Sequence, residues 1–295
     1  MKYKKQHWVP KSYLQLWHDN NTPDGHEPYI WVFSKDGCES KAKAPHKVFR
    51  ENEMYTIKLS NGKRDLKIEH GLSGLESKYI SLYKNILSQR KPLTLDNRII
   101  LCAFIAAMDS RSQSMRDHLK KQWGEIFSMM NDMMIDQCNS TEQDKYHQIV
   151  IPSNAHTISM DEVKKMTTNP MQSELIPSIV SKTSILTNMN IEILCTNDKI
   201  GFVTSDTPCI VNDPEVNNRQ FPLNTIGLGW KTVEVAMPLS PNQLAFLNWR
   251  TAHSTDLYYN IDLQFVDLFN RNTICCADKS FIVNANEKKK EWFKH

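Results

Sequence analysis

The chain of 295 residues is long enough for one large domain or two closely joined domains with a hydrophobic core. Its 36 Lys and Arg residues nearly balance 33 Asp and Glu residues, which excludes a strong overall field of the kind that attracts nucleic acid or membrane surfaces. No stretch approaches the roughly 20 apolar residues of a membrane span, and the basic start lacks the apolar run of a signal peptide, so we expect a cytoplasmic protein.

The first element is residues 2–17, a segment that we expect to be anchored to the body of the protein. Free chain starts are normally polar and frayed, yet His7 is followed here by Trp8 and Pro10. The apolar side chains that would hold the segment in a groove are Trp8, Val9, Tyr13, Leu14, Leu16 and Trp17. Anchoring would fix His7 at one place, with its two ring nitrogens directed at defined partners.

A β-hairpin is predicted next. Residues 29–34 are rich in β-forming side chains, and Lys35-Asp36-Gly37 is a tight-turn signal before a second strand from Cys38 to Ala44. Residues 49–57 are apolar at both ends and polar in the middle, and a turn at 60–62 follows. The first 60 residues are therefore predicted to be rich in β-structure.

The middle of the chain, residues 66–190, is predicted to be helical. Apolar side chains between Leu66 and Gln89 recur at alternating steps of four and three residues, which is one stripe of an α-helix. A second helix opens after Thr94, a residue type that suits the N-cap position. The remaining predictions in this region are a helix at 118–138, a loop at 139–156, and helices at 160–165 and 174–188.

After Asn190 the pattern returns to β-structure, over residues 191–283. Ile191–Cys195 and Gly201–Thr204 flank a turn and are predicted to pair as a second hairpin. Further strands are expected at 232–239, 244–247 and 281–283, with a helix at 262–277. The fold class is therefore α+β, as one domain over residues 1–283 that is followed by a basic, solvated tail at 284–295.

Several of these segments together resemble a bacterial family, domain of unknown function 4238. Its members open with a Gln-His-x-Val-Pro-x-x-Tyr-Leu phrase, here Gln6 to Leu14, and carry a Thr-Ser-Asp-x-Pro phrase, here Thr204 to Pro208. The other similar segments are the strand Tyr29 to Phe33, the stretch Glu51 to Tyr55, the helix Ile68 to Glu76, and the arginines Arg111 and Arg116. The resemblance covers residues 5–283. It implies no assigned function, although some relatives look like accessory genes near bacterial defence systems.

Two carboxylates are the first candidates for chemistry. Glu69 and Glu76 lie seven residues apart on the first long helix, nearly two full turns, so both point the same way beside the apolar stripe. Such a pair can bind a divalent metal through oxygen ligands or divide the roles of general acid and general base. The alternative is that both form structural ion pairs with Lys or Arg of a neighbouring element.

Asp206 is a third candidate, because it follows a predicted strand and precedes Thr207-Pro208. Strand ends are places where a rigid scaffold presents functional side chains, and Pro208 stiffens the exit. The alternative is a local turn in which the Asp206 or Ser205 side chain bonds to the nearby backbone.

Arg111 and Arg116 follow the apolar part of the second helix. Two guanidinium groups at the rim of a cleft suit a phosphate or a carboxylate, which they can bind bidentately. The alternative is that they balance Asp109, Asp117 or the two glutamates, and a contact between Arg111 and Glu76 would join both candidates in one network.

His7 has an ordinary pKa of about 6.5, which is well placed for proton transfer. It is either a general acid or base, or a buried histidine whose hydrogen bond to a carboxylate holds the N-terminal segment. Asn270, on the helix predicted at 262–277, is expected to be a satisfied core amide.

The first functional hypothesis is a hydrolase of phosphodiester bonds, a nuclease in bacterial antiphage defence. His7 would be the acid or base, Glu69, Glu76 and Asp206 the carboxylates that act as bases or bind Mg or Mn, and Arg111 and Arg116 the phosphate-binding pair. The second is a non-catalytic module that binds RNA, DNA, a nucleotide or a phage component. Bases would then stack on Trp17, Trp31, Trp230 and Trp249. The third is a stability network in a protein that works through a partner protein of a defence system.

Overall fold

The computed structural model describes residues 5–23, 25–59, 61–139, 158–250 and 256–293, with the backbone alone at 134–139. Residues 2–4 of the predicted anchored segment and residues 140–156 of the predicted loop lie outside these ranges.

The described ranges contain seven α-helices, most of them in the middle of the chain. They are α1 Lys11–Leu14, α2 Lys67–Leu82, α3 Leu95–Ser110, α4 Gln113–Asn139, α5 Met160–Thr168, α6 Pro170–Asn188 and α7 Leu263–Cys276. The predicted N-cap is confirmed, since the Thr94 hydroxyl accepts a hydrogen bond from the backbone N–H of Asn97. A π-helical turn, Tyr83–Leu87, extends α2 close to the predicted end at Gln89.

The strands lie on both sides of this helical region in sequence, so the α+β fold class is confirmed. They are β1 Lys5–His7, β2 Ile30–Ser34, β3 Ser40–Lys43, β4 Arg50–Asn52, β5 Ile57–Lys58, β6 Arg64–Asp65, β7 Asn190–Cys195, β8 Thr204–Ser205, β9 Ile210–Asn212, β10 Glu234–Ser240, β11 Gln243–Asn248, β12 Tyr258–Asn260 and β13 Ser280–Val283.

Two sheets carry most of these strands. The five-stranded sheet has the order β12-β7-β11-β10-β9 and is antiparallel except for the β12–β7 pair. The four-stranded sheet has the order β3-β2-β13-β8 and includes the predicted β2–β3 hairpin, which is confirmed. Two short ladders, β1–β4 and β5–β6, complete the described β-structure.

The five-stranded sheet is covered by helices on both faces, because its strands alternate between two apolar clusters. Val235 and Met237 of β10 face the main core, which α2, α3 and α6 complete, whereas Ala236 packs with Val266 of α7. Since both faces are covered, β10 is buried along most of its length.

Helix α2 is fixed to this core by Tyr79. Its ring stacks on Phe104 of α3 with the centroids 3.7 Å apart, and its hydroxyl donates to the Leu239 carbonyl of β10 at 3.2 Å. Fully burying an aromatic side chain contributes roughly 1.5–3 kcal/mol. The helix that carries Glu69 and Glu76 is therefore held rigidly.

The predicted hairpin of 191–195 with 201–204 is wrong. β7 pairs with β11 and β12, whereas β8 pairs with β13 in the other sheet. Gly201, with a φ of 67°, lies so close to the Pro241 carbonyl that an added Cβ would approach its oxygen to 1.9 Å. The same carbonyl accepts a hydrogen bond from Phe202 N. The chain thus leaves the first sheet here and crosses to the second.

The end of the chain also differs from the prediction, because residues 288–293 are docked on the body of the protein. Trp292 is 1% exposed, and its Nε1 donates to Asp267 of α7 at 2.9 Å. Lys289 Nζ donates to Asp198 and Asp267, at 3.0 Å each. The prediction of a solvated tail is therefore wrong over these residues.

None of the helices in the described ranges is long and apolar enough to cross a membrane.

Candidate active site

The opening phrase Gln6–Leu14 is anchored, as predicted. β1 pairs with β4, and the buried Gln6 side chain both donates to Thr56 Oγ1 at 3.1 Å and accepts from the Tyr55 backbone N–H at 2.6 Å. A fully buried amide with both ends satisfied holds its strand firmly. These bonds fix the next residue, His7.

The two phrases that carry the family resemblance meet in space. The Tyr13 hydroxyl lies 2.8 Å from Thr204 Oγ1 and donates to the Pro238 carbonyl at 2.7 Å, so it touches both large sheets. Trp8 Nε1 donates to the Asp206 carbonyl at 3.2 Å. The opening phrase, which contains α1, is therefore bonded to both large sheets.

A pocket of about 210 Å³ lies between this N-terminal segment and α2. Its lining residues are His7, Lys11, Glu69, His70, Leu72, Ser73 and Glu76. The pocket thus brings together three of the four predicted catalytic residues, and the prediction that the two glutamates share one side of the helix is confirmed. Asp206 is not among the residues that line it.

Of the residues that line this pocket, Glu69 has a carboxyl group with a strongly raised pKa. Burial raises its pKa from 4.5 to about 7, the negative charge of Glu76 adds to the rise, and the positive charge of Arg111 opposes it. Glu69 therefore exchanges its proton near neutral pH, as a general acid or base must.

His7 has the opposite shift. Burial lowers its pKa from 6.5 to about 4, the charges of Arg50 and Arg111 lower it further, and a hydrogen bond to the His46 backbone raises it. Its Nε2 is buried in the pocket wall and has no hydrogen-bond partner. The interaction with the His46 backbone helps to orient the ring, and a buried imidazole nitrogen without a partner is a candidate base.

Arg111 is the cation around which these groups are arranged. It is 1% exposed, and its Nη1 donates to Glu76 Oε1 at 2.7 Å. This contact joins the candidate glutamates and the candidate arginines in one network, as the sequence analysis considered. Its Nη2 meets only Met108 Sδ at 3.1 Å, and its Nε is unpartnered. The charge of Arg111 also shifts the pKa values of His7 and Glu69.

Arg116 belongs to a neighbouring ion cluster. It pairs with Glu51 of β4 and with Asp117, while Gln113 donates to the same Glu51 carboxylate at 3.0 Å. Each of the two arginines is thus matched to a carboxylate, and neither lines the pocket. A role for this pair in binding phosphate stays a prediction.

Asp206 serves as an anchor for the connection between α7 and β13. Its carboxylate accepts three backbone N–H groups, from Asp278 at 2.8 Å, Lys279 at 2.7 Å and Ser280 at 2.9 Å. The local turn is made instead by Ser205, whose hydroxyl accepts from Thr207 N at 3.1 Å. The Asp206 carboxylate is therefore held in a structural role, and Asp206 does not line the pocket.

Replacing Asp206 with asparagine is expected to destabilise the fold by about 2 kcal/mol, because an amide nitrogen cannot accept from the N–H groups that the carboxylate now satisfies. Urea unfolding measures this change. The activity of the folded fraction should match that of the native protein. A folded Asp206→Asn protein without activity would instead show that Asp206 takes part in catalysis.

The other polar candidates are structural. Asn270 is a satisfied core amide as expected, since Oδ1 accepts from Val203 N at 2.9 Å and Nδ2 donates to the Gly201 carbonyl at 2.8 Å. Of the tryptophans considered for base stacking, Trp17 is fully buried and Trp230 is covered by the Arg219 guanidinium, 4.3 Å from the ring centre.

In the described part of the chain, no three His, Cys, Asp or Glu side chains are grouped to hold a metal ion, so Mg or Mn stays a prediction.

Sequence reasoning missed Lys11 and Tyr55. Lys11 lines the pocket, is exposed, and forms no ion pair with a described residue. The Tyr55 hydroxyl donates to the His7 carbonyl at 3.4 Å, and its pKa is raised by burial and by the nearby glutamates. A signal for Lys11 was present, because it lies four residues after His7 in the same anchored phrase.

Comparison with known proteins gives one match. The model of a family described as a protein of unknown function, DUF4238, matches residues 5–288. No curated protein and no solved structure matches the chain.

Proposed function

The chain belongs to the DUF4238 family, whose description assigns no activity, and from its residues we propose a phosphodiester-cleaving enzyme, a nuclease, with its active site in the pocket between the opening phrase and α2. The observation that carries the proposal is the presence, in one small pocket, of an unpartnered imidazole nitrogen on His7 and a carboxyl group on Glu69 that titrates near neutrality. Cleaving a P–O bond requires one group to take a proton and another to give one.

The pKa values assign these roles. Between pH 4 and 7, His7 is neutral and can accept a proton at Nε2, while Glu69 is protonated and can donate one. The reverse assignment needs the minor form of both groups over this pH range. We therefore assign His7 as the general base and Glu69 as the general acid.

The positive charges have separate tasks in this proposal. Lys11 lines the pocket, is exposed and pairs with none of the described carboxylates, so its ammonium group can contact a phosphate oxygen directly. Arg111 is buried against Glu76 and acts as a positioning residue that fixes this glutamate, and its charge adds to the burial that lowers the pKa of His7. In this proposal Lys11 meets the anionic transition state, and Arg111 acts indirectly through Glu76.

Replacing Lys11 with methionine is expected to raise KM for a phosphodiester substrate about 5- to 10-fold, with the stability unchanged within about 0.5 kcal/mol because the side chain is exposed. Steady-state kinetics at low and high salt measure the effect, which should shrink as salt screens the charge. The matched control is Lys78→Met, an exposed lysine on α2 outside the pocket. Equal KM values for Lys11→Met and this control would remove Lys11 from the site.

The proposal is tested by a cleavage assay on tRNA, single-stranded RNA, plasmid DNA and single-stranded DNA, each with Mg, Mn or EDTA. His7→Asn is the informative histidine variant, because asparagine keeps a polar side chain that can donate a hydrogen bond but removes the basic imidazole nitrogen. Activity in the native protein that is lost in folded His7→Asn supports the proposal. The control is Glu174→Gln, a half-buried glutamate on α6 outside the pocket, which should cleave normally.

No cleavage of any substrate, together with retained binding, would favour the non-catalytic alternative, a module that binds a nucleic acid, a nucleotide or a phage component through the same pocket. As part of the proposal we place the activity in antiphage defence, as the family resemblance implies. Cells that express the native protein should then form fewer phage plaques than cells that express His7→Asn, and equal plaque numbers would contradict this role.

A further inference from the structure

We infer that the cavity between α7 and the docked end of the chain binds a single-chain amphiphile, a small molecule with one anionic head and one long apolar tail. The inference does not depend on the proposed nuclease activity, because this cavity and the candidate active site share no lining residue. It follows from the size of the cavity, from its apolar wall, and from two lysine side chains whose charges no described carboxylate balances.

The cavity has the size of a site for a small molecule. Its volume is about 980 Å³, and sites for small molecules typically have volumes of roughly 300–1,000 Å³. Ile274 of α7 and the aromatic residues Trp292 and Phe293 form an apolar wall. A wall of this kind with a few polar groups at its edge is typical of sites that bind an apolar body and orient a polar head.

The aromatic part of this wall is held in place by the body of the protein. The ring centroid of Phe281 in β13 lies 6.4 Å from that of Trp292 and 6.1 Å from that of Phe293. Gly37, with a φ of 70°, lets the Phe293 ring approach closely, since an added Cβ would lie 2.6 Å from Phe293 Cζ. The wall is thus formed before any ligand binds.

The apolar surface continues along α7 past Arg271. A second cavity, of about 460 Å³, also has Arg271 in its lining and contains Phe265 and Leu268, which are 55% and 40% exposed. At 1.5 Å per residue, the helix from residue 265 to residue 275 is about 15 Å long. A track of this length suits an extended hydrocarbon chain better than a compact body.

Two lysines lie side by side at the edge of the first cavity. The backbone N–H of Lys35 donates to the Lys279 carbonyl at 2.8 Å, which continues the β2–β13 ladder one step beyond the pair of Ser34 and Ser280. Residues opposite each other in antiparallel strands carry their side chains on the same face, and both lysines line the cavity. Like charges in such positions destabilise each other.

No carboxylate in the described part of the chain forms an ion pair with either lysine. Lys35 Nζ donates to a neutral acceptor, the Ala277 carbonyl, at 2.7 Å, and Lys279 is exposed. Asp36 also lines the cavity, but its Oδ1 accepts from the Cys38 backbone N–H at 2.9 Å, within the turn. A carboxylate or phosphate head between the two lysines would relieve their repulsion, so the charges of the cavity favour an anion.

Isothermal titration calorimetry tests the inference with dodecanoate and dodecyl phosphate, each below its micelle concentration. Saturable binding of one molecule per chain supports it, and the tighter of the two ligands identifies the head as carboxylate or phosphate. Decanoate, with two fewer methylenes, should bind about 10-fold more weakly than dodecanoate. Equally tight binding of uncharged dodecyl maltoside would overturn the inference, as would equally tight binding of inorganic phosphate, which has no tail.

Lys279→Met is the informative variant, because Lys279 is exposed and its backbone N–H keeps its bond to Asp206. It should weaken dodecanoate binding about 5- to 10-fold, and salt should reduce the difference. Lys78→Met, at an exposed lysine outside this cavity, should bind normally. Equal affinities of the two variants would overturn the assignment of the head to the lysine pair.

Cys275 reports whether the ligand occupies this cavity, because its thiol is exposed and it is one of the lining residues. Dodecanoate should slow the alkylation of Cys275 by iodoacetamide, measured by tandem mass spectrometry. Cys38 is an exposed cysteine that does not line the cavity, and its alkylation should be unchanged. No saturable binding, or binding that leaves Cys275 unprotected, would overturn the inference whether or not the protein cleaves nucleic acid.

Discussion

Replacing Glu69 with glutamine is expected to lower the cleavage rate by about 10²–10⁴-fold, the usual contribution of a general acid, while it makes the protein more stable above pH 7. The substitution keeps the shape of the side chain but removes the proton that the leaving oxygen needs. Because Glu69 lines the pocket and does not pair with a described cation, its loss leaves no buried charge behind.

The gain in stability follows from the raised pKa of Glu69. Folding shifts this pKa from 4.5 to about 7, so the contribution of Glu69 to stability is fully present below pH 4.5 and is lost as the pH rises through 7. Glutamine does not titrate and avoids this loss. With allowance for partial exposure, we expect the variant to gain about 1–3 kcal/mol over the native protein between pH 4 and pH 8.

Urea unfolding at the two pH values measures this gain, and cleavage rates on the same preparations measure the loss of activity. Glu174→Gln serves as the control, with no change expected in either quantity. A Glu69→Gln protein that cleaves at the native rate would remove Glu69 from the reaction. One that becomes less stable at pH 8 would show that the carboxylate is a structural ion-pair partner.

The second large effect concerns the ion pair between the buried Arg111 and Glu76, whose side chain is 23% exposed. Glu76→Leu should destabilise the protein by about 3–5 kcal/mol, since it leaves the Arg111 guanidinium, 1% exposed, without a counter-charge. Arg111→Met in the same chain should restore most of this loss, because an apolar pair of similar volume often replaces a buried ion pair at little cost.

Urea unfolding of both single variants and of the double variant gives the coupling energy between the two side chains. Arg116→Met provides the comparison, because the partners of Arg116 are more exposed and its loss should cost about 1 kcal/mol or less. Additive losses in the double variant would contradict a coupled pair. The charges of Glu76 and Arg111 shift the pKa of Glu69 in opposite directions, so the double variant should leave this pKa closer to its native value than either single variant does.

Local patterns in the sequence were sufficient for the regular elements. The apolar stripe of α2, the Thr94 cap of α3 and the turn of the β2–β3 hairpin depend on neighbours in the chain, so each could be predicted. The shared side of Glu69 and Glu76 followed from the helical period alone. The anchoring of His7 was predictable because apolar residues flank it on both sides.

Contacts between distant segments account for the errors. The carboxylate of Asp206 is occupied by three N–H groups more than 70 residues away, which no local pattern indicates. Residues 201–204 fail to pair with β7 because Gly201 packs on Pro241. The basic end of the chain is docked because Trp292 fits against α7. Lys11 was overlooked although it belongs to the anchored phrase, because the sequence does not show that it lines the same pocket as Glu69.

The most direct test of the proposed acid–base pair is the rate of phosphodiester cleavage as a function of pH, for the native protein and for Glu69→Gln. The native rate should rise as His7 loses its proton at about pH 4 and should fall as Glu69 loses its proton at about pH 7. The residual rate of Glu69→Gln should keep the acid limb and lose the alkaline one. A native rate that keeps increasing above pH 7, or an alkaline limb that persists in Glu69→Gln, would contradict the assignment of Glu69 as the general acid.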